Sequence, residues 1–238
     1  MSRKGRFIIV DGIAGSGKST VLKSVHAWAE DCDHRIFHLS DWESLEPPTY
    51  DQVRDNDVFF TYEPTRTWVG STIRYELSRE DNPYGGEELA HAFALDRQIM
   101  YRRLIIPALE DGKTIIQDRG VSSSLVYQPI MPNSVPLETI IKLPGNQLAL
   151  EHAPNALILA TVTAQVAHER IQNRDDDSKG VFANPEFLKK LEHRFKETWF
   201  RELFESRGTS IFELDTGGTL EDSSKRATNL VNHILTTC

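Results

Sequence analysis

The stretch FIIVDGIAGSGKST, residues 7–20, joins an apolar run to a glycine-rich turn. Residues 12–19 match the pattern Gly-x-x-x-x-Gly-Lys-Ser/Thr, and apolar residues at helical spacing follow them. A strand, a glycine loop and a helix in this order are typical of a phosphate-binding loop. The stretch therefore predicts an α/β protein that binds a nucleotide.

Each part of this loop has a physical task. Glycines allow backbone N–H groups to turn inward on a phosphate, and the positive end of the following helix dipole adds to the attraction. Lys18 can reach the β- and γ-phosphates of ATP, and the Ser19 hydroxyl can ligate Mg²⁺. The predicted ATP contacts are Gly12, Ala14, Gly15, Ser16, Gly17, Lys18, Ser19 and Thr20.

The rest of the chain alternates short β-rich runs with amphipathic helical patterns. This alternation predicts a three-layer α/β fold with a parallel sheet and, with the phosphate loop, the fold of P-loop NTPases, formed by one domain over residues 1–238. The predicted strands are 7–11, 58–62, 114–117, 156–161 and 210–214, with a short extra strand at 35–39. Residues 41–57 are polar and carry two prolines, so we expect an irregular insertion there.

The composition limits the expected cellular location and the classes of partner. The formal net charge of -8 argues against broad nucleic-acid binding, and no apolar run is long enough to cross a membrane. The start, MSRKGRF, lacks the apolar segment of a secretory signal, and two cysteines are too few for a disulfide framework. We therefore expect a cytoplasmic protein with reduced thiols, without a nucleic-acid or membrane partner.

The strand before residue 118 distinguishes between classes of phosphate-loop protein. It runs into Asp118-Arg119-Gly120, whereas many ATPases carry Asp-Glu there, with a glutamate that polarises water. An arginine beside the aspartate is better suited to holding a phosphoryl group. The guanine-reading Asn-Lys-x-Asp segment of switch GTPases is absent from the sequence. These features favour a kinase for a small acceptor.

Three further segments carry a family resemblance. They are TYEPTRTWVG with Glu63 and Pro64, AFALDRQ with Phe93 and Arg97, and DRGVSSSLVYQ after the third long strand. Together with GIAGSGKST they occur in the order and approximate spacing of the thymidylate kinase family, which this chain resembles over most of its length.

The resemblance implies a set of acceptor residues. Phe93 would stack on a pyrimidine base, and Arg97, four residues later, would hold the acceptor phosphate or the base edge. Asp118 would bind Mg²⁺ through water, and Arg119 would steady the phosphates. The other implied acceptor contacts are Glu63, Pro64, Arg74 as a second phosphate clamp, Ser124 and Tyr127 beside the sugar and base, and Gln128 at the base edge.

A mobile helical lid is expected at about residues 170–185. Arg170 and Arg174 are four residues apart, so both can point at one anion. In this family a lid arginine meets the charge that develops on the moving phosphoryl group, and a homodimer is common. The alternative for these arginines is a solvated helix end.

The resemblance implies transfer of the γ-phosphoryl of ATP to a pyrimidine deoxynucleoside monophosphate, dTMP first, assisted by Mg²⁺. Some features depart from the family, among them Ala14 in the loop, Gly120 and the segment 41–57. They leave open a deoxyribonucleoside kinase, in which Glu63 would be the general base. A nucleotide-binding regulator without catalysis is the third alternative.

Overall fold

The protein is described by a computed structural model that covers residues 5–79, 83–131, 133–173 and 184–235. Six strands form one parallel sheet in the order β2-β3-β4-β1-β5-β6. The strands are β1 (Arg6–Asp11), β2 (Ile36–His38), β3 (Val58–Tyr62), β4 (Thr114–Asp118), β5 (Ala156–Thr161) and β6 (Ser210–Asp215). Every strand predicted from the sequence is present, within one residue at either end.

The helices flank this sheet. They are α1 (Lys18–Asp31), α2 (Tyr50–Val53), α3 (Trp68–Thr72), α4 (Gly86–Met100), α5 (Ile106–Glu110), α6 (Val121–Tyr127), α7 (Leu137–Lys142), α8 (Pro144–Glu151), α9 (Ala164–Gln172), α10 (Pro185–Phe195), α11 (Thr198–Glu205) and α12 (Leu220–Leu235). π-Helical turns at Ile73–Leu77 and Tyr101–Ile105 continue α3 and α4. The α/β class and the parallel sheet are confirmed.

The chain divides into two compact units. The first contains residues 1–9 and 35–155, and its core forms where the apolar strands β3 and β4 pack under the helix that begins at α4. Tyr101, fully buried on that helix, makes an edge-on ring contact with Phe7 at 5.9 Å between centroids. Residues 36–38 pair in register with 58–60, and 58–62 with 114–118.

The segment 41–57 belongs to the first unit and is better packed than the polar sequence predicts. Its short helix α2 buries Tyr50 and Val53, which lie three residues apart on one helix face. Arg103 donates to Glu46 Oε1 at 3.0 Å and to the Pro47 carbonyl at 2.7 Å. The segment is therefore irregular over most of its length but held to the rest of the unit.

The second unit contains residues 10–34 and 156–238. In it β5 and β6 pair in register from Ala156↔Ser210 to Thr161↔Asp215, and α1 packs against α12. Asn184 caps α10 with its side chain, as the Asn-Pro pair predicts. The apolar stripe from 187 to 203 does not form one helix, because the chain breaks at Glu197, which has extended backbone angles and begins α11. Cys32 is disulfide-bonded, which differs from the expected reduced thiol.

Candidate active site

The phosphate loop connects β1 to α1 in the second unit. Gly12 and Gly15 have φ angles of 139° and 75°, a region that side chains rarely adopt. A Cβ on Gly12 would lie 2.4 Å from the Ala160 carbonyl oxygen, and one on Gly15 would lie 2.5 Å from that of Ala167. These two positions require glycine, because neighbouring backbone fills the space of any side chain.

The loop leaves the first turn of α1 open to an anion. The helix begins at Lys18 with no side-chain cap and no acidic residue in its first turn, so its first N–H groups keep their positive partial charge. The Lys18 amine lies over the loop, where it donates to the carbonyls of Gly12 at 3.2 Å and Ile13 at 3.0 Å. Ser19 is exposed at the helix start, and Ala14 and Thr20 are half-buried. This geometry suits an oligophosphate.

Arg170 lies near the end of α9 and contacts the phosphate loop. Its Nη2 donates to the Thr216 carbonyl at 2.6 Å, and its Nη1 lies 3.4 Å from both the Gly15 carbonyl oxygen and Thr216 Oγ1. The sequence predicts Arg170 as a lid arginine that meets the moving phosphoryl group, and in the structure its guanidinium lies against oxygens of the phosphate loop and of Thr216. Arg174 and most of the predicted lid lie outside the described residues.

Thr216, which the sequence analysis did not identify, joins the loop to the end of the sheet. Its buried hydroxyl donates to the Ser16 carbonyl at 2.6 Å, and its N–H donates to the Thr161 carbonyl at 2.9 Å. Its carbonyl is the Arg170 acceptor described above. A polar residue directly after a predicted strand was the available signal, in the stretch LDTGG. Thr216 therefore fixes both the phosphate loop and the neighbouring arginine.

Replacing Thr216 by valine is expected to raise KM for ATP about fivefold, because the Ser16 carbonyl loses its hydrogen bond while the side-chain volume is kept. KM for the acceptor should not change. Initial rates measured over a range of ATP concentrations test this, with the exposed Thr198→Val on α11 as the control. An unchanged KM for ATP would show that Thr216 does not hold the phosphate loop in its binding conformation.

The first unit contains a buried ion pair between Arg97 and Glu63. Arg97 is 1% exposed, and its Nε lies 3.1 and 3.0 Å from the two carboxylate oxygens of Glu63. Gln117 Nε2 also donates to Glu63 Oε1, at 3.1 Å. Because α4 presents Arg97 beside the end of β3, the two residues meet although they are 34 positions apart in sequence. The two side chains are thus paired away from water.

The other donors of Arg97 are largely committed as well. Nη2 donates to Glu63 and, at 2.9 Å, to Ser124 Oγ, while one N–H of Nη1 donates to the side-chain oxygen of Asn146. A guanidinium carries five N–H groups, so among the described contacts a single Nη1 N–H is left over. The sequence predicts that Arg97 holds the acceptor phosphate or the base edge. Because these hydrogen bonds fix the Arg97 guanidinium, we favour a contact with the base edge over one with the acceptor phosphate.

Helix α6 and the turn after it place the predicted base contacts beside Arg97. Ser124 Oγ accepts from Arg97 and, at 3.3 Å, from Gln128 Nε2. Gln128 Oε1 is buried and has no hydrogen-bond partner among the described residues. Buried polar atoms are nearly always satisfied, so such an oxygen is a candidate ligand acceptor.

Asp118 and Arg119 lie at the end of β4. Arg119 has a positive φ of 63°, its Nη1 donates to Ser123 Oγ at 3.1 Å, and its guanidinium carbon lies 5.4 Å from the centroid of the Tyr127 ring. Asp118 Oδ1 is buried and has no partner in the described part of the chain. A carboxylate oxygen left over in this way suits a cation or its bound water.

Phe93 and Arg74 are two further residues that the resemblance implies for the acceptor. Phe93 is half-buried on α4, one turn before Arg97, so its ring does not lie wholly in the core. Arg74, predicted as a phosphate clamp, donates through Nε to the carbonyls of Pro64 and Thr65, each at 2.9 Å, and lies over the Tyr62 ring. Its side chain therefore holds the turn after Glu63, because that turn presents carbonyl oxygens towards it.

Asp96 supports this turn from α4 and was not identified from the sequence as a site residue. It accepts from the Thr65 N–H at 2.8 Å and from the Thr65 hydroxyl at 2.7 Å. Burial raises the pKa of the Asp96 carboxyl, and the two hydrogen bonds from Thr65 oppose that shift. The adjacent Asp96 and Arg97 in AFALDRQ were the available signal in the sequence. Both side chains are buried; Asp96 holds Thr65, and Arg97 holds Glu63 just before it.

Comparisons with known proteins identify the family of this chain. A family model described as thymidylate kinase matches residues 49–226. The chain is 29% identical to a thymidylate kinase of Caldicellulosiruptor saccharolyticus, with 98% of each chain covered, and 31% identical to a probable thymidylate kinase of Methanosarcina acetivorans, with 81% of each covered. A solved thymidylate kinase from Candida albicans shares the fold, with a TM-score of 0.65, 15% identity, and coverage of 99% of this chain and 94% of that one. The chain belongs to the thymidylate kinase family.

Proposed function

We propose that the protein transfers the γ-phosphoryl group of ATP to dTMP and releases dTDP and ADP. The observation that carries this proposal is the buried Arg97, which is fixed by Glu63, Ser124 and Asn146 with one N–H to spare. An arginine can only donate, so it matches the C4 carbonyl of thymine and opposes the amino group that cytosine carries there. Family membership agrees with this acceptor.

Two further features of the same unit fit a thymine. Gln128 Oε1 lacks a partner among the described residues and can accept from the thymine N3–H. Phe93, on the same helix as Arg97, offers a half-buried aromatic face for the ring. We therefore assign Phe93, Arg97, Ser124, Tyr127 and Gln128 to the acceptor nucleoside.

The phosphate loop binds the donor. Its N–H groups, the start of α1 and Lys18 hold the ATP phosphates, and Thr216 keeps the loop in place. Ser19 and Asp118 would hold Mg²⁺, which supplies positive charge to the phosphates; the unpartnered Asp118 Oδ1 fits this role. Arg119 steadies the phosphates, and Arg170 and Arg174 remain candidates for the lid.

No general base is required for this reaction. The attacking oxygen of a nucleoside monophosphate already carries negative charge, and the catalytic contribution comes from alignment and charge neutralisation. Glu63 is committed to Arg97 and Gln117, which agrees with a structural carboxylate. Glu63 would abstract a proton only in the deoxyribonucleoside kinase alternative.

We also propose that both units form one kinase domain, that the protein is cytoplasmic and dimerises, and that it has no nucleic-acid partner. Among the described residues no helix is long and apolar enough to cross a membrane. Dimerisation is proposed from membership of the thymidylate kinase family, in which homodimers are common. Light scattering after gel filtration measures the mass in solution.

An ADP-release assay tests the proposed function. With ATP and Mg²⁺, we expect turnover with dTMP, at least tenfold lower kcat/KM with dCMP, and none above background with thymidine. Removal of Mg²⁺ with EDTA should abolish the rate. Release of ADP with thymidine but not with dTMP would instead identify a nucleoside kinase, and ATP binding without any acceptor-dependent release would identify a regulator.

A further inference from the structure

We infer that Asn146 is a positioning residue of the acceptor pocket, whose side-chain oxygen fixes the Arg97 guanidinium and thereby sets the selection of thymine over an amino-pyrimidine. The inference rests on the proposed function, because it concerns how the acceptor base is chosen. Asn146 lies on α8 and would not touch the nucleotide itself.

Both ends of the Asn146 amide are committed. Asn146 is fully buried, its Nδ2 donates to the Ile140 carbonyl at 2.7 Å, and its Oδ1 accepts from Arg97 Nη1. The carbonyl of Ile140 can only accept and Arg97 can only donate, so the partners fix the orientation of the amide. The oxygen of Asn146 must face the arginine.

A close approach of two helices makes this contact possible. A Cβ on Gly145 would lie 1.7 Å from the Ala94 carbonyl oxygen, so the backbones of α8 and α4 touch at this point. Ala94 and Arg97 are three residues apart and therefore lie on one face of α4. The Gly145-Asn146 pair thus brings a buried acceptor to the arginine.

The side-chain oxygen of Asn146 fixes the orientation of the Arg97 guanidinium. Glu63 and Ser124 hold the Nε and Nη2 edges, and Asn146 takes one of the two Nη1 N–H groups. The second Nη1 N–H of Arg97, which we assign to the C4 carbonyl of the base, then points in a single direction. Without Asn146 the Nη1 group would be a buried donor with no acceptor, so the arginine would shift or admit water.

The test compares dTMP with 5-methyl-dCMP, which keeps the methyl group and replaces the C4 carbonyl by an amino group. In Asn146→Ala we expect the preference for dTMP, taken as the ratio of kcat/KM values, to fall about tenfold. KM for ATP should stay within twofold. Asn56→Ala is the matched control, because Asn56 also donates to a backbone carbonyl in this unit, at 2.9 Å, but has no contact with Arg97.

A purely structural role would lower the melting temperature and leave the preference for dTMP unchanged, and that outcome would overturn the inference. Asn146→Leu, which keeps the side-chain volume, replaces the alanine variant if the latter does not fold. Asn146→Asp keeps an oxygen towards Arg97 but has no amide donor for the Ile140 carbonyl, so it is expected to keep more of the preference for dTMP than Asn146→Ala does. If the wild-type protein does not phosphorylate dTMP, the proposed function fails; if it does and Asn146→Ala keeps the full preference, only this inference fails.

Discussion

Replacement of Lys18 by alanine is expected to lower kcat about 10³-fold with little effect on stability. The amine lies over the loop at 3.0 Å from the Ile13 carbonyl oxygen, where it can exchange that contact for the β- and γ-phosphate oxygens. A cation aimed at the transferring group stabilises charge that develops in the transition state, and removal of one such donor costs about 10²–10³-fold. Its hydrogen bonds to loop carbonyls are partly exposed, so they contribute little to folding.

Steady-state kinetics with ATP and dTMP, together with thermal melting, check this prediction. Lys23→Ala is the control, since Lys23 is an exposed lysine on the same helix. A Lys18→Ala protein that turns over within tenfold of the wild type would show that the loop lysine is not part of the chemistry.

Replacement of Glu63 by glutamine should destabilise the protein by about 3 kcal/mol, because it leaves the buried Arg97 charge without a counter-charge. The glutamine keeps the shape of the side chain, and its amide nitrogen cannot accept from Arg97 as the carboxylate does at 3.0 Å. KM for dTMP should rise about tenfold as Arg97 loses its fixed position. Since a monophosphate acceptor needs no base, kcat should fall by less than tenfold.

Denaturant unfolding and kinetics on both acceptors measure these effects, with the exposed Glu87→Gln on α4 as the control. A general base contributes about 10²–10⁴-fold to a rate. A loss of kcat in that range for Glu63→Gln would therefore contradict the structural role of this carboxylate and support a deoxyribonucleoside kinase.

Local patterns predicted most of the fold. Each strand is an apolar run bounded by polar or glycine residues, so its existence follows from a few neighbouring residues. The start of α10 follows from Asn184 and Pro185 in the same way. The division of the 187–203 stripe into α10 and α11 could not be predicted, because the apolar spacing continues across Glu197 while the backbone does not.

The candidate site was predictable as a set of segments and not as a set of contacts. Glu63, Arg97 and Ser124 were predicted as site residues, but the hydrogen-bond network that joins them, with Gln117 as a further member, depends on where α4 lies against β3. Asn146 carries no local signal, since its position depends on how closely α8 approaches α4 at Gly145. The contacts of Arg74 and Arg170 depend on tertiary packing in the same way, so the sequence alone could not predict them.

The most direct measurement of the central claim is the identity of the labelled product when the protein is given [γ-³²P]ATP, Mg²⁺ and equal amounts of dTMP and thymidine. We expect the label in dTDP alone, in a reaction that Lys18→Ala abolishes. Label in dTMP derived from thymidine, or no labelled nucleotide beyond ATP, would contradict the assignment of this chain as a kinase for dTMP.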